Sequence, residues 1–409
     1  MIRFFLSTDL TIQNGAFREI PGFIRSKGFG RPAFLVDEGF ANSTLWQEVA
    51  PRIKAEFGPE TFILLARGTA EPTYHYVEQV VEAFRSQACD VVIGVGGGSC
   101  MDIAKAAAAL KTNPGRPLEY RGFDKLRHPG VATILVPTTA GTGSEVTINA
   151  SFVDTDGKKK LGINGRFMQA THAILDAETT LSCPYQAAVG AGLDAMVHTL
   201  EAFVCRQRNQ VTKLFAREAF RLLYAALPCL KDDPSNLDKR LDLLLGAYYG
   251  AIAMFNSGSG IAAAISYPLS VYYGVPHGMG GAMTCVEVIR YNIRYGCYDY
   301  SELAPLAGIP NTNSPAKERA EGVCARLQAL WDYLGVPKDF SAFGICADRF
   351  SHILEVMKTQ QPGFDQNPIP FAVEKDLAAF LERFFESGNE QAWRDRGVAV
   401  ERPASLAAT

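Results

Sequence analysis

Residues 90–108 read "DVVIGVGGGSCMDIAKAAA". "DVVIGV" (90–95) is a short apolar run bounded by a turn signal, as a buried strand should be. Three glycines, Gly96, Gly97 and Gly98, end it, and "CMDIAKAAAALK" (100–111) then continues with helical spacing. Strand, glycine turn and helix in that order open a βα unit. The glycines let backbone N–H groups approach a ligand closely, and the helix N-terminus behind them favours negative charge, so the turn reads as a pyrophosphate cradle. The spacing is not GxGxxG, so the plain dinucleotide fingerprint is not met, and a tight turn without a ligand stays open as the alternative. Asp102 fits beside a phosphate only if it sits back in the first helical turn, as a cap or a ribose ligand.

Working outward, "PAFLVD" (32–37), "TFILLA" (61–66) and "VATILVP" (131–137) read as further buried strands, with helical patterns such as "YVEQVVEAFRSQ" (76–87) between them. The alternation predicts an α/β domain with a parallel sheet covered on both faces. Near residue 184 the texture changes to long Ala/Leu-rich helical segments: "PYQAAVGAGLDAMVHTLEAFVC", "KLFAREAFRLLYAALPCL" and "KRLDLLLGAYYGAIAMF". The expected organisation is therefore an N-terminal α/β dinucleotide-binding domain, residues 1–183, followed by an all-helical metal and substrate domain, residues 184–409. The end of the chain, "RPASLAAT" (402–409), is expected to fray.

The bulk numbers bound the partners. A chain of 409 residues suggests about two domains. A formal charge of -3 gives no electrostatic footprint for nucleic acid or an anionic membrane. The nine cysteines form no CxxC pair, which is the usage of a reducing compartment. The N-terminal apolar run is too short for a signal peptide core, and no apolar stretch is read as long enough to span a membrane. The sequence thus reads as cytoplasmic.

"VPTTAGTGSEVT" (136–147) also follows a strand, and Thr138, Thr139, Thr142 and Ser144 surround two more glycines there. Both loops belong beyond the strand carboxyl ends, where open α/β sheets bind ligands. Asp37 ends an earlier strand; such a carboxylate accepts from a ribose 2′-hydroxyl and repels a 2′-phosphate, or is simply a turn residue. In "GLDAMVHTLEAF" (192–203), Asp194 and His198 stand at i and i+4 on one helical face, able to share a metal or to hydrogen-bond each other. His277, in "VPHGMG" (275–280), could complete a carboxylate and two imidazoles.

Together "GGGS" with Asp102, "PTTAGTGSE", Lys160 in "KKKLGI", "GLDAMVHTLEAF" and "PHG" resemble the iron-containing (group III) alcohol dehydrogenases over roughly residues 1–380. The resemblance implies a dehydroquinate synthase-like architecture with NAD(P) and a divalent metal between the two domains, usually in a homodimer or larger homo-oligomer. It implies that Gly97, Gly98 and Ser99 hold the pyrophosphate. Asp37 would take the adenosine ribose, favouring NAD(H) over NADP. Thr138, Thr139, Thr142 and Lys160 would contact the phosphates and nicotinamide ribose, with Asp102 and Ser144 in the same cofactor site. Asp194, His198 and His277 match family metal ligands, but the family's remaining histidine falls on Ala263, and a further one on Tyr267. A three-ligand Fe2+ or Zn2+ site is expected, since catalytic zinc and ferrous iron both work with three protein ligands. His277 and Tyr267 are the candidate catalytic residues, the latter as a phenol for proton transfer.

The expected activity is an NAD(P)-dependent alcohol dehydrogenase or aldehyde reductase acting on CH–OH groups. Its substrate would be a small polar or anionic aldehyde; "SYPLS" (266–270) is similar to the phosphonoacetaldehyde reductase-like branch. The alternatives are a dehydroquinate-synthase-like cyclase and a metal-free member that binds NAD without turnover.

Overall fold

The computed structural model describes residues 4–67, 71–157, 159–310 and 313–385, so the predicted fraying of "RPASLAAT" lies outside the described residues. The first half is built on a six-stranded sheet: β1 Asp9–Ile12, β2 Pro32–Asp37, β3 Ile63–Ala66, β4 Val91–Gly96, β5 Ala132–Pro137 and β6 His172–Leu175. Its order is β1-β6-β5-β4-β2-β3, and every neighbouring pair is parallel. The pleat sorts the side chains. Leu35, Val92 and Leu135 enter one core, while Phe34, Val36, Ile93, Val95 and Val136 enter the other. Four helices cover these faces: α1 Ile20–Ser26, α2 Thr44–Phe57, α3 Tyr74–Arg85 and α4 Gly98–Ala109.

Registers Asp37↔Ala66, Val36↔Val95 and Gly96↔Pro137 bring the carboxyl ends of β2, β3, β4 and β5 to one edge. The loops after them therefore share that edge. Strands β1 and β6 were not among the sequence expectations. Each has only four residues, "DLTI" and "HAIL", and includes a polar one, unlike the four apolar residues of β3, so neither gives an apolar run to read.

The second half is helical: α5 Tyr185–Val204, α6 Gln210–Ala226, α7 Leu237–Phe255, α8 Ile261–Tyr273, α9 His277–Arg294 and α10 Ala316–Leu334, with shorter helices up to Phe384. One expectation needs correcting here. Helix α5 is 20 residues long and apolar enough, by length and composition, to cross a membrane. It is instead the core helix of this half: 83% of its most apolar window is buried, and Leu193, Val197 and Leu200 sit in one cluster with Phe220, Leu243, Ile265 and Ile289 from the helices around it. A helix apolar all round can be covered by protein as well as by lipid.

Candidate active site

A cleft of about 850 Å3 opens at the shared strand edge, walled by Asp37, Gly97, Gly98, Ser99, Thr138 and Thr139 among others. Gly97 is the N-cap of α4 and offers no side-chain oxygen, so the first-turn N–H groups are left for a ligand. The glycines have two different reasons. A Cβ on Gly96 would lie 2.6 Å from that of Cys100, and one on Gly98 would lie 2.6 Å from the Thr142 side chain. These two are small because the turn packs tightly on its neighbours. A Cβ on Gly97 would come no closer than an ordinary 3.4 Å to the Thr139 side chain, and both residues are on the cleft wall.

Asp102 and Ser144 are not on that wall. The Ser144 hydroxyl donates to Asp102, whose second oxygen accepts from the Ser151 N–H at 2.8 Å. Asp102 sits back on α4 and staples the second loop. The same loop is held by Lys105, 2% exposed, whose ammonium donates to the carbonyls of Ser144 (2.8 Å), Thr147 (3.3 Å) and Asn149, 3.3 Å from Asp102 Oδ1. Glu145 lies beside this network with Oε2 unpartnered, and burial pushes its carboxyl up to about 7. Thr142 is likewise a packing partner of the turn. Sequence reasoning missed Lys105 and Glu145; the available signal was a lysine inside the apolar run "DIAKAAAAL".

Asp194, His198 and His277, which are not on the cleft wall, present ligand atoms all within 4.8 Å of one another. Helix α5 supplies the first two, and His277 is the first residue of α9, directly after Pro276. His198 Nε2 and His277 Nε2 lie 3.6 and 3.9 Å from Asp194 Oδ1. The Ser266 hydroxyl and His277 Nδ1 are 3.0 Å apart, which leaves Nε2 turned to the carboxylate. Burial, and next the positive charge of Lys160, push the His277 imidazole down to about 3, with Asp194 pulling the other way. It is held neutral, the state in which imidazole ligates a cation. One carboxylate and two neutral-capable imidazoles fit ferrous iron or zinc. Ala263, 4% exposed, offers no donor. On the same α5 face Glu201 accepts from the Ala262 and Ala263 N–H groups at 2.7 and 3.3 Å. Its Oε2 and His198 Nδ1 are both buried and unpartnered.

Lys160 lies 2.7 Å from Glu71 Oε1 and 5.0 Å from the centre of the Tyr267 ring. The Tyr267 ring is itself 4.8 Å from that of His277. Glu71 also accepts from the Ser270 hydroxyl at 3.2 Å, so this ion pair joins the two halves of the chain. Enclosure, and then the Asp194 and Glu71 carboxylates, push the Tyr267 phenol well above its usual range, keeping it a proton donor. Glu71 carried no sequence signal, being one charge in a loop.

The profile "Iron-containing alcohol dehydrogenase" matches residues 7–177, and "Fe-containing alcohol dehydrogenase family, C-terminal" matches residues 188–384. The NAD-dependent methanol dehydrogenase of Bacillus methanolicus is 28% identical over 346 residues, covering 84% of this chain and 90% of that one. The sulfoacetaldehyde reductase of Bilophila wadsworthia is 26% identical over 383 residues, covering 91% and 96%. Among solved structures, a 1,3-propanediol oxidoreductase superposes with a TM-score of 0.86 at 25% identity, covering 94% of this chain and all of that one. Two profiles that between them run from residue 7 to residue 384, with relatives matched over most of their own length, make this chain a member of the iron-containing alcohol dehydrogenase family and hence an oxidoreductase.

Proposed function

We propose that the protein is an NAD(H)-dependent aldehyde reductase and alcohol dehydrogenase that holds a divalent cation, Fe2+ or Zn2+, on Asp194, His198 and His277. The observation that carries this is the gathering of those three residues within 4.8 Å of one another, linked through Tyr267 and Lys160 to Glu71 on the wall of a cleft that also carries a glycine turn and a helix N-terminus. The overall reaction converts an aldehyde, NADH and a proton into an alcohol and NAD+. When bound, the cation supplies Lewis acidity toward the carbonyl oxygen and the nicotinamide supplies the hydride. The chain does the rest. Gly97, Gly98 and Ser99 bind the pyrophosphate through backbone N–H groups, Thr138 and Thr139 orient the inner half of the dinucleotide, and Asp37 takes the adenosine ribose. Tyr267 holds a proton at its phenol oxygen for the oxygen that gains charge.

For the substrate, a buried ammonium beside the reacting position and the sulfonate-bearing aldehyde of the Bilophila relative's name both support a small polar or anionic aldehyde, phosphonoacetaldehyde included. The domain boundary is drawn at residues 183/184, just before α5 begins. Nine free thiols support a cytoplasmic setting, and the family resemblance supports a homo-oligomer.

The test is NADH oxidation at 340 nm over a panel of neutral, phosphonate and sulfonate aldehydes, on protein purified without chelator and assayed for metal. Near one iron or zinc per chain with net NADH consumption is expected. Nucleotide binding without net consumption on any aldehyde, the behaviour of a cyclase or a binding protein, would overturn the proposal. Within the panel, Tyr267→Phe is expected to lower kcat roughly 100-fold, the usual lower range for a proton donor, with metal content unchanged.

A further inference from the structure

The outer wall of the cleft carries a charge that this reading leaves unused. Strands β2 and β3 run in parallel with Asp37 opposite Ala66. The next residue, Arg67, therefore leaves the sheet beside Asp37, and it lines the same cleft. Its backbone is fixed, since its N–H donates to the Tyr76 hydroxyl at 2.9 Å and Tyr76 is part of the wall. Its side chain is exposed, and among the described residues no carboxylate pairs with the guanidinium. Asp37, by contrast, is partly committed: Oδ1 accepts from the Phe40 N–H at 3.1 Å, capping the short helix Glu38–Ala41.

In open α/β sheets a carboxylate at such a strand end takes the ribose 2′-hydroxyl, and a neighbouring arginine accommodates a 2′-phosphate. We propose that Arg67 is a 2′-phosphate acceptor, so that the cleft takes NADP(H) as well as NAD(H). The inference rests on the cleft being a dinucleotide site. The planar guanidinium presents paired donors that match a phosphate bidentately. Asp37 repels the same phosphate, so two opposite charges at adjacent strand ends act against each other. The result is two accepted nucleotides rather than exclusion of either one. Asp37 read alone favours NAD(H) over NADP; the charge one residue past its strand partner offsets that preference.

The experiment is a fluorescence titration of the purified full chain with NADPH and with NADH, read as the ratio of the two Kd values. For the wild type the ratio is expected within about tenfold of unity, since a charge-assisted contact and one repulsive neighbour are of similar size. Arg67→Ala is expected to raise the NADPH/NADH ratio about tenfold or more, the loss of one charge-assisted phosphate contact. Arg67→Lys should fall between the two, keeping the charge but not the fork. Asp37→Ser keeps a helix-capping oxygen and removes the charge, and should lower the ratio. A ratio that Arg67→Ala leaves at the wild-type value would overturn the proposal. So would wild-type protein that binds NADH but binds NADPH more than about 100-fold more weakly. Binding of neither nucleotide would overturn the dinucleotide reading itself.

Discussion

His277→Ala is expected to lose the divalent cation and to reduce aldehydes about a thousandfold more slowly than the wild type, the scale of several kcal/mol of charge stabilisation. The size of the effect follows from how few donors there are. Asp194 and His198 come from one helix, and His277 is the one ligand that closes the site from a second helix. Among the described residues no other histidine, cysteine or carboxylate joins this cluster, and the nearby Ala263 has nothing to offer. Plasma mass spectrometry on protein purified without chelator, together with kcat under saturating NADH, checks both halves. A variant that kept a full equivalent of metal would show that His277 is not a ligand. The thermal midpoint serves as the control, because His277 sits at the first position of α9 and its side chain makes one hydrogen-bond contact, with Ser266.

Lys105→Met is expected to be the most damaging single change to stability away from the site, costing about 3–5 kcal/mol. The methylene stem is preserved, so packing is nearly conserved; what goes is the ammonium. Without it the carbonyls of Ser144, Thr147 and Asn149 lose their shared donor, and Asp102 loses its nearest cation. The thermal midpoint should fall by roughly 6–20 °C. Adding Asp102→Asn to Lys105→Met should recover part of that loss, since a neutral amide tolerates the missing cation better. A single variant within 1 °C of the wild type would mean that the loop stands without this tie. Because the loop carries Thr138 and Thr139 to the cleft, dinucleotide affinity should fall in parallel.

Most of the scaffold is legible in the chain because its central strands are pure apolar runs. "PAFLVD" is β2 residue for residue, and "VATILVP" overshoots β5 by one. Strands β1 and β6 were not legible, since four residues with a polar member carry no period. In the site, the i, i+4 pair of Asp194 and His198 could be read from spacing alone, and Ala263 was visible as a missing donor. What could not be read was partnership. Asp102 and Ser144, 42 residues apart, are bonded to each other, which neither loop shows by itself. Lys160 looks like one of three solvated lysines until Glu71, 89 residues away, is found holding it. Long-range partnership of single polar groups leaves no local pattern in a sequence, so Glu71 and Glu201 became visible only in the fold.

Helix α5 has a consequence for how the chain is made. Its covering partners α6, α7, α8 and α9 all come later in the sequence, the last ending at Arg294. About ninety residues separate that point from the end of α5, which at ordinary elongation rates is roughly 5–18 s of synthesis. During that interval the nascent chain carries a 20-residue apolar segment whose cover is incomplete, since α6 and α7 are made before α8 and α9. It would resemble a membrane anchor to any targeting factor and a client to any chaperone. The half of the protein that holds the metal ligands therefore begins life as a segment that must be shielded before it can fold.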